Sequence, residues 1–145
     1  MKRLLLLIGL FSAAFICFGC KTQDKIIPYS DLPQEAQTFI STHFGDRQVT
    51  YVMQDNRSYE VRFTDGTEVE FSKNGEWESI DCEHLQVPQS ITSLLPKSIP
   101  SYVASHFTDT FICKVEKERR HYTVELNNGL ELIFSVSGAF QKIDD

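Results

Sequence analysis

The chain has 145 residues, 41% of them apolar and 23% charged, with 20 acidic against 14 basic side chains and a formal net charge of −6. That balance excludes a disordered chain, which lacks apolar side chains to bury, and argues against nucleic acid as a partner, because phosphate binding needs clustered Lys and Arg. One or two small domains fit the length.

Residues 1–19 begin with Lys2 and Arg3, continue as a nearly unbroken apolar run to Phe18, and close on the small Gly19 before Cys20. This pattern reads as a secretory signal peptide, and the apolar run is short for a membrane span of about 20 residues. The placement of Cys20 resembles the lipobox of bacterial lipoproteins, with the bulky Phe18 departing from the usual small residue there. The resemblance implies an exported protein of the cell envelope, acylated at Cys20 and facing the periplasm, with the membrane touched only through lipid. A soluble periplasmic or secreted chain is the alternative. Loss of residues 1–19 would remove Lys2 and Arg3 and no acid, moving the net charge from −6 to −8.

Residues 20–31 are mostly polar around Ile26 and Ile27 and read as a linker. A shift of 63 residues then lays residues 32–81 on residues 95–144 without a gap. Sixteen of the fifty aligned positions are identical, including Leu32/Leu95, Pro33/Pro96, His43/His106, Tyr59/Tyr122, Gly66/Gly129, Phe71/Phe134, Gly75/Gly138 and Ile80/Ile143. The pattern predicts two copies of one supersecondary unit, at 32–82 and 95–145, joined by a connector at 83–94. Either half, at about 55 residues, would bury too little surface alone, so the two should form one domain.

Each unit opens with a helical pattern. Pro33 stands where a first-turn proline is tolerated, and Ala36, Phe39, Ile40 and Phe44 recur at three- and four-residue spacing. Ile99, Tyr102, Val103 and Phe107 do the same in the second unit, where Pro100 predicts an interruption and a separate turn at 90–95. The period then switches to two: Tyr59, Val61 and Phe63 share one strand face, and Val69 and Phe71 share the corresponding face of the next strand. Asp65-Gly66 and Asn128-Gly129 signal hairpin turns, and residues 73–76 and 136–139 mark the turns before strands at 77–81 and 140–144. The expected fold is α+β: a helix and a four-stranded antiparallel meander, twice over, giving eight strands with helices on one face and the other face open to water.

No nucleophile with a base, zinc-ligand spacing or phosphate loop appears, so neither an enzyme nor a cofactor is expected. His43 and His106 stand at helix ends, where they should interact with helix carbonyls. His84, close to Cys82 and with only Cys113 to add, falls short of a metal pattern. Cys82 ends the first copy's last strand and Cys113 starts the second copy's first. They are expected either to pair as a disulfide after export or to remain buried thiols. The open face should carry Glu60, Arg62, Glu68, Glu70, Glu76 and Glu78 from the first copy, and Glu125, Glu131 and Ile133 from the second. Such a face would either be merely solvated or take up a basic protein or peptide of the envelope, with charge steering the encounter. A periplasmic small-ligand or cation binder is the alternative reading.

The order of elements, Leu-Pro opening the helix, His-Phe closing it, Tyr-x-Val in the second strand and Gly75, Trp77, Ile80 and Asp81 around the last resemble the PepSY-like, β-lactamase-inhibitor-like family of secreted and lipid-anchored bacterial proteins. The second copy departs by placing Phe140 where the first has Trp77. The resemblance implies a tandem repeat resembling the fold of β-lactamase inhibitor protein, with a concave sheet for binding, and it implies no chemistry.

Overall fold

The computed structural model describes residues 24–144. The signal-peptide reading of residues 1–19 and the lipidation site Cys20 lie outside them. Among the described residues nine strands form one antiparallel sheet in simple chain order: β1 (Lys25–Ile27), β2 (Val49–Gln54), β3 (Ser58–Phe63), β4 (Glu68–Ser72), β5 (Trp77–Asp81), β6 (Ile112–Lys117), β7 (His121–Leu126), β8 (Glu131–Ser135) and β9 (Phe140–Asp144). The helices are α1 (Gln34–His43), α2 (Gln89–Thr92) and α3 (Ser98–His106). The fold is α+β.

Alternation decides which face becomes the core. Val61, Phe63, Val69, Phe71 and Ile80 from β3–β5 are buried with Ala36, Ile40 and Phe44 of the first helical segment. Val115, Val124, Leu126, Leu132 and Phe134 join the same cluster with Ile99 and Val103 of α3. The helices therefore cover one face, and the intervening strand residues are left on the other. Aromatic side chains tie the layers together. Phe39 meets Phe71 edge-on with ring centroids 5.7 Å apart, and Tyr102 meets Phe134 at 5.6 Å.

The two groups of four strands keep the same register 63 residues apart. Val49 faces Phe63 as Ile112 faces Leu126, and Glu68 faces Asp81 as Glu131 faces Asp144. Even the irregularities recur: a bulge falls between Val49 and Tyr51 and again between Ile112 and Lys114. The halves meet where Ser79, Ile80 and Asp81 of β5 pair with Glu116, Val115 and Lys114 of β6.

Two expectations change. The sheet has nine strands, not eight, because part of the supposed linker 20–31 forms β1, with Ile26 opposite Met53 and Ile27 opposite Val52. The outer edge of β2 would otherwise present unpaired N–H and C=O groups, and Ile27 gains burial in the core by covering it. Pro100 does not interrupt the second helix but lies inside α3, in its first turn, where its missing N–H has no helical partner to lose. The separate turn expected at 90–95 is present as α2 within the connector 83–94, which also buries Val87 and Ile91.

Candidate functional site

The face turned away from the helices is acidic in its first half because of what the hairpin register places side by side. Glu60 of β3 lies directly opposite Glu70 of β4, and Arg62 lies opposite Glu68. One carboxylate oxygen from each of Glu60, Glu68 and Glu70 falls within 4.8 Å of the others. Like charges directly across a strand pair are destabilising. Arg62 relieves part of this: it donates from Nη2 to Glu68 Oε2 and stands 3.8 Å from Glu60 Oε1. Tyr51 donates its hydroxyl to Glu60 Oε1 at 3.3 Å.

Crowding and partial burial act together on these acids. Burial, followed by the charges of Glu68, Glu60, Glu78 and Glu116, pushes Glu70 above the usual carboxylate range. Burial and then Glu60 raise Glu68 as well, against the pull of Arg62. A carboxyl whose folded pKa is raised binds protons more readily in the folded chain, so its favourable contribution is present at low pH and is lost as pH rises through the folded pKa. Replacing Glu70 by Gln should therefore raise the melting temperature at neutral pH. The gain over wild type should shrink as pH falls through the Glu70 titration, in thermal melts compared across that range.

The second half of the face has a different character. Where the first half sets Glu60 against Glu70, the second sets Thr123 against Ile133, and both are nearly covered. Glu125 lies opposite Glu131 and Lys114, and Lys114 holds Glu116 at 2.9 Å. Glu78 joins Glu70 and Glu116 around a shallow hollow at the middle of the sheet. Glu76 does not join this face. It lies at the hairpin tip beside α1, because the chain is already turning there before β5 begins.

A model of the family described as "Putative beta-lactamase-inhibitor-like, PepSY-like" matches residues 18–62 and 57–142. The chain belongs to this family. Among solved structures, this PepSY-like chain is similar to a "putative calcium-regulated periplasmic protein" from Bacteroides thetaiotaomicron, with 38% identity over 84% of this chain and 97% of the other and a TM-score of 0.78. A "putative periplasmic protein" of the DUF2874 family from Bacteroides vulgatus shares 37% identity over 85% and 98% of the two chains, with a TM-score of 0.77. A second protein from that species, described as of unknown function, shares 33% over 85% and 100%, with a TM-score of 0.78. No curated protein matches. The relatives' periplasmic description supports an exported, periplasmic location, and none of the three is described by a catalytic activity.

Of the two alternatives for the cysteines of the PepSY-like chain, the structure has the buried thiols. Cys82 and Cys113 are free and buried, although the Cys82 N–H donates to the Cys113 carbonyl at 2.9 Å. The strand irregularity falls at Cys113, and the two side chains have different surroundings. Cys82 sits against Arg47 and Thr67, whereas Cys113 Sγ approaches the Glu125 carbonyl at 3.5 Å and lines a hollow with Asp81, Glu83, His84 and Glu125. Burial, with Glu125 and Asp81 nearby, pushes the Cys113 thiol up to about 11, so little of it is the reactive thiolate at neutral pH. The helix-end histidines also part company. His106 Nδ1 bonds the Tyr102 carbonyl at 2.9 Å, whereas His43 Nδ1 is buried without a partner and its ring lies 4.5 Å from Phe39. Burial holds His43 below the usual histidine range.

Sequence reading missed a groove of about 710 Å³ between α1 and the sheet, bordered by Thr38, Phe39, His43, Glu76, Trp77 and Lys117. Lys117 Nζ stands 5.7 Å from the Trp77 ring centre. The only signal for it was the exchange of Trp77 for Phe140 between the halves. Lys117 reaches the groove because β6 continues the sheet beyond β5, a pairing no local pattern reveals.

Proposed function

We propose that this chain is a non-enzymatic binding module of the bacterial cell envelope, tethered to a membrane through lipid on Cys20, that takes a cationic protein or peptide on its open sheet face. In this reading two units of helix plus four strands, resembling the fold of β-lactamase inhibitor protein, act as one platform. Its acidic half attracts the partner, and its milder half, where Thr123 and Ile133 stand in place of Glu60 and Glu70, extends the platform with less charge. The observation that carries the reading is the cross-strand pair Glu60 and Glu70 with Glu68 beside it, three carboxylates within 4.8 Å on the face turned away from the described helices. Like charges held this close cost stability, and a basic partner would relieve that cost while speeding encounter. No bond would be made or broken. If the partner were an envelope hydrolase, inhibition would follow from occlusion.

A second reading is favoured by the same three oxygens: a divalent cation held by Glu60, Glu68 and Glu70. Hard oxygen donors suit Ca²⁺, and a relative is described as calcium-regulated. Three carboxylates fall short of the six to eight oxygens Ca²⁺ takes, so water would have to complete the shell, and Arg62 would have to release Glu68.

One experiment separates the readings: capture from a solubilised envelope fraction on residues 21–145 and on the Glu68→Lys/Glu70→Lys variant, each with and without chelator. A partner lost with the charge reversal but indifferent to chelator is the expected result. Equal capture by both baits would overturn the acidic face as the binding surface. A melting temperature that falls on chelation would favour the cation.

A further inference from the structure

The outer edge of β9 repeats, without a neighbour among the described residues, the edge that inside the chain recruits β6. Lys142, Ile143 and Asp144 stand 63 residues after Ser79, Ile80 and Asp81, the three residues of β5 that pair with Glu116, Val115 and Lys114. The same β8–β9 register as β4–β5 gives the edge the same orientation. The Cys82 N–H reaches the Cys113 carbonyl, so two residues earlier Ile80 also turns its N–H and C=O toward β6. Ile143, in the corresponding place on β9, turns its pair outward. Covering makes the difference in burial: Ile80 is 0% exposed and Ile143 is 43% exposed.

The charge pattern on this edge is self-complementary. Lys142 and Asp144 lie on the open face, where Lys142 Nζ holds Asp144 Oδ1 at 2.7 Å, and Ile143 between them points to the helix side. If a second copy approaches antiparallel about a two-fold axis through Ile143, then Ile143 faces its counterpart, Lys142 of each copy faces Asp144 of the other, and the Ile143 pair exchanges two backbone hydrogen bonds.

We propose that β9 is a self-association edge, pairing Lys142, Ile143 and Asp144 with the same residues of a second copy in inverse order. The contact continues one sheet across two protomers, covers the exposed Ile143 on the helix side and brings the two open faces into one surface. Three residue pairs suffice for the β5–β6 junction within the chain, where a shared core adds to them. Between two molecules they give a weak dimer, seen at high concentration. An isologous pairing closes at two copies, unlike pairing of β9 with the β1 edge of another copy, which would propagate.

The test is sedimentation over a wide concentration range of residues 21–145, which hold every described element, for wild type, K142D, D144K and an equimolar mixture of the two variants. Both side chains are more than half exposed, so the fold should survive, and far-UV circular dichroism checks this. Each single variant sets like charges opposite one another and should raise the dimer dissociation constant at least tenfold. The mixture pairs two acids against two bases and should form a heterodimer. A wild type that stays monomeric, variants that dimerise as wild type does, or assembly beyond two copies would each overturn the proposal. Protection of the Ile143 amide from hydrogen exchange only when a foreign extended peptide is added would assign the edge to that partner and likewise overturn it.

Discussion

Replacing Phe134 by alanine should cost about 3–5 kcal/mol of folding stability, the range for emptying a buried aromatic site. Phe134 is fully buried on β8 and lies at the centre of an aromatic cluster, edge-on to Tyr102 of α3 at 5.6 Å and to Phe140 of β9 at 5.8 Å. Tyr102 in turn stacks on Phe140 at 4.5 Å and on His106 at 4.0 Å. Truncation at this point removes the surface on which α3 rests, and rings locked by one another cannot readily close the void. Urea unfolding followed by tryptophan fluorescence would report the loss. Trp77 stands in the other half of the sheet, so a midpoint that drops for Trp77 as well as for far-UV circular dichroism would show that the halves unfold as one unit. A loss below 1 kcal/mol would mean that α3 repacks and that the aromatic cluster does not anchor it.

Substituting alanine for Gly138 should destabilise by about 2–4 kcal/mol, whereas the same change at Gly129 should cost about 1 kcal/mol. Both glycines sit in hairpin turns with φ near +86° and +85°, a conformation that costs any side chain, so the shared penalty is backbone strain. Their surroundings differ. A Cβ on Gly138 would stand 2.6 Å from Pro96 Cβ and 2.2 Å from Ser98 Oγ, at the entry to α3, whereas a Cβ on Gly129 meets nothing within 4 Å. Ser98 also donates its hydroxyl to the Gly138 carbonyl at 2.8 Å, so pushing the turn away breaks a bond that ties α3 to the β8–β9 hairpin. Paired melts of the two variants isolate the packing part of the cost as their difference. Equal losses would mean that α3 yields at no cost.

Much of the architecture is legible in the order of residues. Period-two alternation in β3 and β4 placed Val61, Phe63, Val69 and Phe71 inside and Glu60, Arg62, Glu68 and Glu70 outside, because a strand's side chains must alternate. The reading failed where a local pattern was short or its meaning depended on a partner. Ile26 and Ile27 carry too few residues to announce a strand, and only the bare edge of β2 makes them one. Glu76 obeyed alternation on paper but belongs to the turn.

Sequence alone determined the acidic balance, most of the core positions in the two repeats and which side chains of β3 and β4 share a sheet face, since these follow from composition and from periods of 2 and 3.6 residues along one chain, while its motifs carried the resemblance to the family. Tertiary structure alone decided three things. The hairpin register brought Glu60, Glu68 and Glu70 within 4.8 Å, and the β5–β6 junction carried Lys117 to the groove by Trp77. The strand irregularity at Cys113 set its thiol beside the Glu125 carbonyl. The physical reason is common to them: each depends on which residue stands across from which, and a one-residue insertion in a strand redirects a side chain without changing the pattern that the sequence displays.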